Sequence, residues 1–275
     1  MPELPEVETI RRDLSGELEG ATIRDVTIHQ ADIVMDGASV TDFVRRVRGR
    51  RILSLDRRAK NLLFRLEGPL VLQVQLRMTG RFALGPELPD PDEFSHVAAE
   101  LVLDDGRTLF YDDVRRLGGF RLLSPGAWAK IESGLGPEPL APAFGADDLA
   151  SALAGSRAPV KNCLLDQRRI AGLGNIYAVE ALHRAGLDPR RPGGEVEPRE
   201  IERLHEAIRT ILLDALRHAG TTFRDYRAVN GRSGAFQDRL EVYARAGASC
   251  SRCGTPVERI VQAGRSTYHC PGCQT

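Results

Sequence analysis

Apolar and polar residues alternate along most of residues 21–123, and beyond a stretch rich in Pro and Gly the apolar positions recur at helical spacing instead. That switch of period predicts two kinds of architecture in one chain. Before the alternating region, Val7, Ile10, Leu14 and Leu18 mark the buried stripe of a first helix, which Gly20 ends. The segments ATIRDVTIHQ, RRILSLD, NLLFRLEG, LVLQVQLRM, AAELVLDDGRTLFYDD and FRLLSP then read as strands, with Asp105-Gly106 as a hairpin turn and TDFVRRV as a short helix between two of them. Antiparallel sheets in a sandwich follow, with the first helix packed against them. SPGAWAKIESGLGPEPLAPAFG reads as a linker. After it, ADDLASALAG, PVKNCLLDQ, NIYAVEALHRAG and PREIERLHEAIRTILLDALRHAG predict four helices. The last carries Glu200 and Glu202 near its start, Arg217 and His218 near its end and Gly220 as its stop, in agreement with the helix dipole. A polar loop, TTFRDYRAVNGRSGAFQDRL, and a cysteine-rich tail complete the chain.

The extreme amino terminus, MPELPEVETI, is only half explained by helix formation. Pro5 followed by Glu6 and Glu8 suits a first turn, where a missing amide costs nothing and carboxylates face the positive end of the dipole. Pro2 and Glu3 need another reason. Once Met1 is cleaved, which a small second residue permits, Pro2 is a free secondary amine, a nucleophile no other residue offers.

At 275 residues the chain has room for two domains with well-buried cores. It shows no charged-then-apolar leader and no apolar run near the roughly 20 residues of a membrane helix, which predicts a cytoplasmic protein. Lys and Arg total 38 against 38 Asp and Glu, so net charge neither favours nor opposes a nucleic-acid partner. Distribution is more telling. Residues 224–265 hold eight arginines against Asp225, Asp238, Glu241 and Glu258, whereas residues 85–113 hold nine carboxylates against Arg107 alone. Such polarity fits a surface that meets phosphate on one side, and equally a solvated face. Only Lys60, Lys130 and Lys161 are lysines. A residue that can shed its proton near neutrality is therefore used sparingly.

Cys250-x-x-Cys253 and Cys270-x-x-Cys273 have the spacing of a zinc ribbon, in which four thiolates surround one tetrahedral ion and leave no open position for a substrate. Two disulfides are the alternative, which a reducing compartment disfavours. Cys163 sits in an apolar helical stretch as a core residue. Between the cysteine pairs, VERIVQAGRSTYH reads as a hairpin whose turn presents Arg265 as a phosphate contact. GLGN at 172–175 precedes a helix; Asn175 can cap it, and the exposed amides offer an anion site. Helix, glycine turn and helix together form a known kind of DNA-backbone clamp.

PELPEVE, RRAKNLLF around Lys60, LGPEPL at 135–140, GLGNIYAVEAL and the terminal four-cysteine finger occur in one order that resembles the bacterial formamidopyrimidine-DNA glycosylases of the Fpg/Nei family, from end to end. The resemblance implies an α+β multidomain fold: an N-terminal β-sandwich with a flanking helix, and a C-terminal helix-two-turn-helix domain with a zinc ribbon. The expected domains are 1–128 for the catalytic sandwich, 129–242 for the linker and helix-two-turn-helix region, and 243–275 for the zinc finger. It also implies a bifunctional enzyme, a glycosylase for 8-oxoguanine or formamidopyrimidine and a lyase that cuts the strand by β,δ-elimination. PELPEVE and the long loop at 221–239 resemble the branch for oxidised purines. A preference for oxidised pyrimidines, or a non-catalytic DNA-binding relative, are the alternatives.

By the same resemblance Pro2 is the nucleophile, Glu3 the acid/base, Glu6 a support for both, and Lys60 the lysine near the damaged nucleotide's phosphate. Arg265 and Asn175 grip phosphate; Met78, Arg115 and Leu117 fill the gap left by the flipped base, with Arg115 facing the orphaned cytosine. Without the family, Met78 and Leu117 read as core and Arg115 as a surface charge. His96, Arg157 and Lys161 complete the expected DNA-binding set, and Cys250, Cys253, Cys270 and Cys273 the ligands of one structural zinc. The expected partner is double-stranded damaged DNA, bound by a monomer. Three positions depart from the pattern: Leu117 replaces a phenylalanine wedge, Phe94 stands where a histidine is common, and Ser156 replaces a basic residue for which Arg157 substitutes.

Overall fold

A computed structural model describes residues 2–35, 37, 39–222, 229 and 233–275. Met1 and residues 223–228 and 230–232 of the loop expected at 221–239 lie outside the described residues. The chain divides into two compact units, one of residues 1–133 with 218–235, the other of residues 134–217 with 236–275.

The first unit opens with α1 (Leu4–Leu18), then β1 (Ile23–Ile28), α2 (Val40–Val47), β2 (Ile52–Arg58), β3 (Asn61–Leu66), β4 (Leu70–Gln75), β5 (Gly80–Gly85), β6 (Val97–Leu103), β7 (Thr108–Asp113), β8 (Gly119–Leu123) and α3 (Pro125–Glu132). Two antiparallel four-stranded sheets, ordered β1-β6-β7-β5 and β2-β3-β4-β8, form the sandwich. Their inward positions make one core: Leu62, Phe64 and Leu72 from one sheet, Phe82, Leu101 and Tyr111 from the other. Val7, Ile10, Leu14 and Leu18 of α1 enter that core fully buried, worth roughly 1.5–3 kcal/mol each. The helix is therefore a rigid carrier for the residues that precede it.

Two segments differ from the sequence expectation. GRFALG forms β5, flanked by glycines that hide its alternation. Part of the expected linker is α3, started by the Ser124 side chain accepting from the Ala127 amide and held by buried Trp128 against Leu63 and Val71.

The second unit contains α4 (Ala146–Leu153), α5 (Val160–Leu165), α6 (Asn175–Ala185), α7 (Pro198–Arg217), and a two-stranded hairpin of β9 (Glu258–Gln262) and β10 (Arg265–His269). LGPEPL is built into this unit rather than loose. The Ala171 amide donates to Pro137 O, Arg209 donates to Pro139 O, and a Cβ on Gly136 would lie 2.5 Å from the Arg169 backbone. No helix among the described residues is long and apolar enough to cross a membrane.

Candidate functional site

In the first unit, Pro2, Glu3 and Glu6 are all buried at the head of α1. The Glu6 carboxylate is the local fastener: Oε2 accepts the Glu3 amide at 2.8 Å and Oε1 accepts the Thr221 amide at 2.8 Å. Gly220 makes this approach possible, since it has φ +79° and a Cβ there would lie 2.7 Å from Glu6 Oε1. Lys60 is half-buried in the two-residue turn between β2 and β3, where Arg58 pairs with Asn61 and Ala59 takes the left-handed φ of 55°. Arg57 holds this turn to α1, donating to Ala59 O at 2.8 Å and to Glu8 Oε2 at 3.2 Å. Burial alone would raise the Glu8 carboxyl, but bonds from Arg11 and Arg12 with the nearby Arg57 charge outweigh it and hold the pKa low. The acidic first turn and the lysine turn are thus one linked structure.

Two neighbouring turns carry the expected gap-filling residues. Met78 and Leu117 are 40% and 43% exposed, so the core alternative for them fails; Arg115 is exposed as well and its guanidinium lies 3.0 Å from Met78 Sδ. His96 is exposed, with its amide on Asp112 Oδ1 at 2.6 Å and its ring against Ser95 Oγ at 3.0 Å. Phe94 is buried beneath the Arg81 guanidinium, 4.3 Å from the ring centroid, so this departure supplies packing and no surface contact.

In the second unit the glycine turn is wrapped by a side chain that the sequence did not flag. Gln167 donates to Leu165 O and Leu173 O and accepts the Gly172 amide. Gly174, and not Asn175, is the N-cap of α6; the Asn175 amide nitrogen donates instead to Ser266 O at 2.8 Å, fixing the helix start to the hairpin. The hairpin turns at Ala263 and Gly264, with φ of 47° and 72°, and Arg265 stands exposed just beyond. Arg157 is exposed before α5, while Ser156 is buried with its hydroxyl 3.1 Å from Cys163 Sγ.

Lys161 is fully buried and its ammonium has no hydrogen-bond partner among the described residues. Burial first, and the Arg265 charge second, lower its pKa from 10.5 to about 8. Between those values the unfolded chain holds a proton that the folded chain has released, so stability rises with pH across the window, by about 3 kcal/mol. Below it, the buried charge is a standing cost. Lys161→Met is expected to flatten this rise in denaturant titrations at stepped pH, and parallel curves for variant and parent would refute the assignment.

Cys250, Cys253, Cys270 and Cys273 converge with all four sulfurs within 4.8 Å of one another. Cys250 and Cys273 are 3.8 Å apart and Cys253 and Cys270 3.4 Å, close to the edge of about 3.8 Å that a tetrahedron with Zn–S of about 2.3 Å requires. The donor set fits one structural zinc with no open position. Bonds from Thr255 lower the Cys253 thiol to about 6, whereas burial raises Cys270 and Cys273. Two supports escaped the sequence reading. His183 Nε2 lies 3.3 Å from Cys250 Sγ, and the buried Glu180 carboxylate accepts the amides of Glu241, Val242 and Tyr243, pinning the chain that enters the finger.

Residues 1–120 match the formamidopyrimidine-DNA glycosylase N-terminal domain, residues 135–227 the formamidopyrimidine-DNA glycosylase H2TH domain, and residues 249–275 the zinc finger found in FPG and IleRS. The formamidopyrimidine-DNA glycosylase of Heliobacterium modesticaldum is 46% identical over 279 residues, with 100% of both chains covered. Among solved structures, the MutM (Fpg) protein of Thermus thermophilus is 44% identical with a TM-score of 0.88, covering 99% of this chain and 98% of that one. A Lactococcus lactis Fpg mutant in complex with Fapy-dG containing DNA is 34% identical with a TM-score of 0.91 over 100% of both chains. The Lactococcus lactis protein also appears with abasic-site DNA (34%, TM-score 0.91, 99% of both chains) and with oxidised-pyrimidine DNA (33%, TM-score 0.90, 100% of both chains). With two sheets closed into a sandwich, a glycine turn between helices and a four-thiolate finger, all spanned by relatives above 40% identity, the chain belongs to the formamidopyrimidine-DNA glycosylase family.

Proposed function

We propose that this chain is a bifunctional DNA glycosylase and AP lyase of base excision repair, acting on formamidopyrimidine and abasic-site DNA and on 8-oxoguanine. The observation that carries the reading is the full-length likeness to an enzyme crystallised on Fapy-dG and on abasic-site DNA. The buried Pro2–Glu3–Glu6 head of α1 supports it as a site for chemistry.

Once Met1 is removed, the Pro2 nitrogen attacks C1′ of the flipped nucleotide, the C1′–N bond to the base breaks, and the base leaves with the electron pair and a proton. Glu3 protonates the sugar oxygen as the ring opens and then moves protons during elimination. The iminium formed by a secondary amine is positive without a proton, so it draws electrons from the sugar while the C2′ proton is lost and the flanking phosphates depart in turn. Glu6 keeps the terminus seated through the Glu3 amide. Lys60 serves the phosphate beside the lesion.

Asn175, Lys161 and Arg265 serve the strand in the second unit. The buried Lys161 ammonium and the exposed Arg265 repel each other, and a phosphate would relieve both. His96 and Arg157 add exposed contacts, while Met78, Arg115 and Leu117 occupy the gap in the stack. The zinc holds the finger's fold and takes no part in the reaction. We place the enzyme in the cytoplasm as a monomer on double-stranded DNA.

A second reading, release of oxidised pyrimidines, is favoured by the relative bound to oxidised-pyrimidine DNA. Single-turnover rates on matched duplexes decide between them. The 8-oxoguanine and formamidopyrimidine duplexes are expected to be processed at least about tenfold faster than the thymine glycol duplex, equivalent to about 1.4 kcal/mol of transition-state preference. Faster release of thymine glycol would reverse the assignment.

A further inference from the structure

Asp113 is a fully buried carboxylate at the end of β7 that the proposed chemistry does not use, and no cation pairs with it among the described bonds. Four neutral donors satisfy it instead. Oδ1 accepts the Thr79 hydroxyl and the Arg116 amide at 3.1 Å; Oδ2 accepts the Gly118 amide at 2.8 Å and the Tyr111 hydroxyl at 3.3 Å. This is about as many hydrogen bonds as a carboxylate can accept.

The donors come from two turns. Thr79 follows Met78 in the turn between β4 and β5, and Arg116 and Gly118 flank Leu117 in the turn between β7 and β8. Thr79 bridges the turns directly, because its oxygen donates to Asp113 while accepting the Arg115 amide at 3.1 Å. Above this buried link, the Arg115 guanidinium meets Met78 Sδ. Both turns are also conformationally set, with Arg77 and Arg116 at φ of 53° and 48°. Their spacing leaves no slack: a Cβ on Gly118 would lie 2.3 Å from the Tyr111 hydroxyl, and one on Gly80 2.6 Å from the same oxygen.

We infer that Thr79, clasped by the buried Asp113 carboxylate, is a positioning residue that locks the Met78 turn to the Arg115–Leu117 turn, so that the three side chains enter a duplex as one preformed element. The inference rests on the reading that Met78, Arg115 and Leu117 fill the opened stack. The physical gain is preorganisation. Separate turns would each have to be ordered at the moment of helix opening, whereas a single clasped element is ordered before DNA arrives.

The test follows helix opening itself, with 2-aminopurine placed beside an 8-oxoguanine in a duplex and its fluorescence rise timed on mixing with the full chain. Thr79→Val keeps the side-chain shape and removes the hydroxyl. It is expected to slow opening about tenfold, the rate equivalent of one lost hydrogen bond to a charged group. Thr79→Ser restores the hydroxyl and is expected to restore the parent rate, which a purely space-filling role would not predict. Tyr111→Phe, which removes a more distant donor to the same carboxylate, provides a second variant should Thr79→Val fail to fold, with slower opening expected again. Parent-like opening in Thr79→Val, or in Tyr111→Phe where that variant stands in, alongside slow opening in Met78→Ala overturns the clasp alone. Parent-like opening in Met78→Ala as well overturns the stack-filling reading, and the clasp with it. Slow opening in Thr79→Ser overturns the role of the hydroxyl.

Discussion

Pro2→Gly is expected to lose most of the covalent adduct that borohydride traps between the protein and a lesion duplex, by on the order of a hundredfold, the low end of what a positioned reacting group contributes. The substitution leaves an amine at the same place, so the prediction depends on what kind of amine it is. A glycine terminus is primary. Its imine sheds the positive charge whenever it loses a proton, whereas the proline adduct has no such proton to lose. Glycine also frees the backbone torsion that the pyrrolidine ring fixes, in a terminus otherwise seated by the Glu3 amide on Glu6. Trapped-adduct yield on denaturing gels, with intact mass confirming removal of Met1 in both proteins, makes the comparison. Full trapping by Pro2→Gly would mean that the adduct does not depend on a secondary amine at this position.

Removal of the metal is expected to have the next largest effect. The finger's own apolar core is small, built on Val242, Val257, Cys250 and Cys270 with Val179 of α6, so the bonds to zinc are the main term holding the hairpin. Structural zinc sites of this kind contribute roughly 10–16 kcal/mol at neutral pH. Metal analysis should return one zinc per chain. Chelation should weaken binding to a duplex by about tenfold to a hundredfold, the scale of losing one or two charge-assisted contacts, because Arg265 and the Asn175–Ser266 link both depend on that hairpin. Undiminished binding by metal-free protein would remove the finger from the interface.

The sandwich, the helical half and the finger were all legible in the sequence, because each rests on local periodicity or on short spacing. Alternation from Ile23 to Leu123 and the 3.6-residue stripe of α7 are properties of neighbouring residues, and CxxC pairs need only one tight turn each. What escaped notice depends on distant partners. Pro125-Gly126 looks like a loop until Trp128 is seen buried against Leu63 and Val71. Asp112 and Asp113 read as the polar end of a strand, yet both are fully buried, one holding the His96 and Arg81 segments and the other the two exposed turns. Lys161 lies in an amphipathic stretch that gives no hint of its complete burial. Asn175 looks like a cap, but its side chain reaches Ser266, which lies 91 residues further along. Burial of a polar group is set by tertiary contacts, and no local pattern records it.

The first unit is discontinuous: it is completed by residues 218–235, which bring the Thr221 amide to Glu6 and Val229 to the sandwich core. A ribosome therefore releases the sheets long before it releases the segment that finishes them. At about 5–20 residues per second, the roughly 100 intervening residues leave the Glu6 carboxylate without its Thr221 partner for some 5–20 s. The direction of translation therefore places the sheets and the whole of α7 before the contact that completes the head of α1.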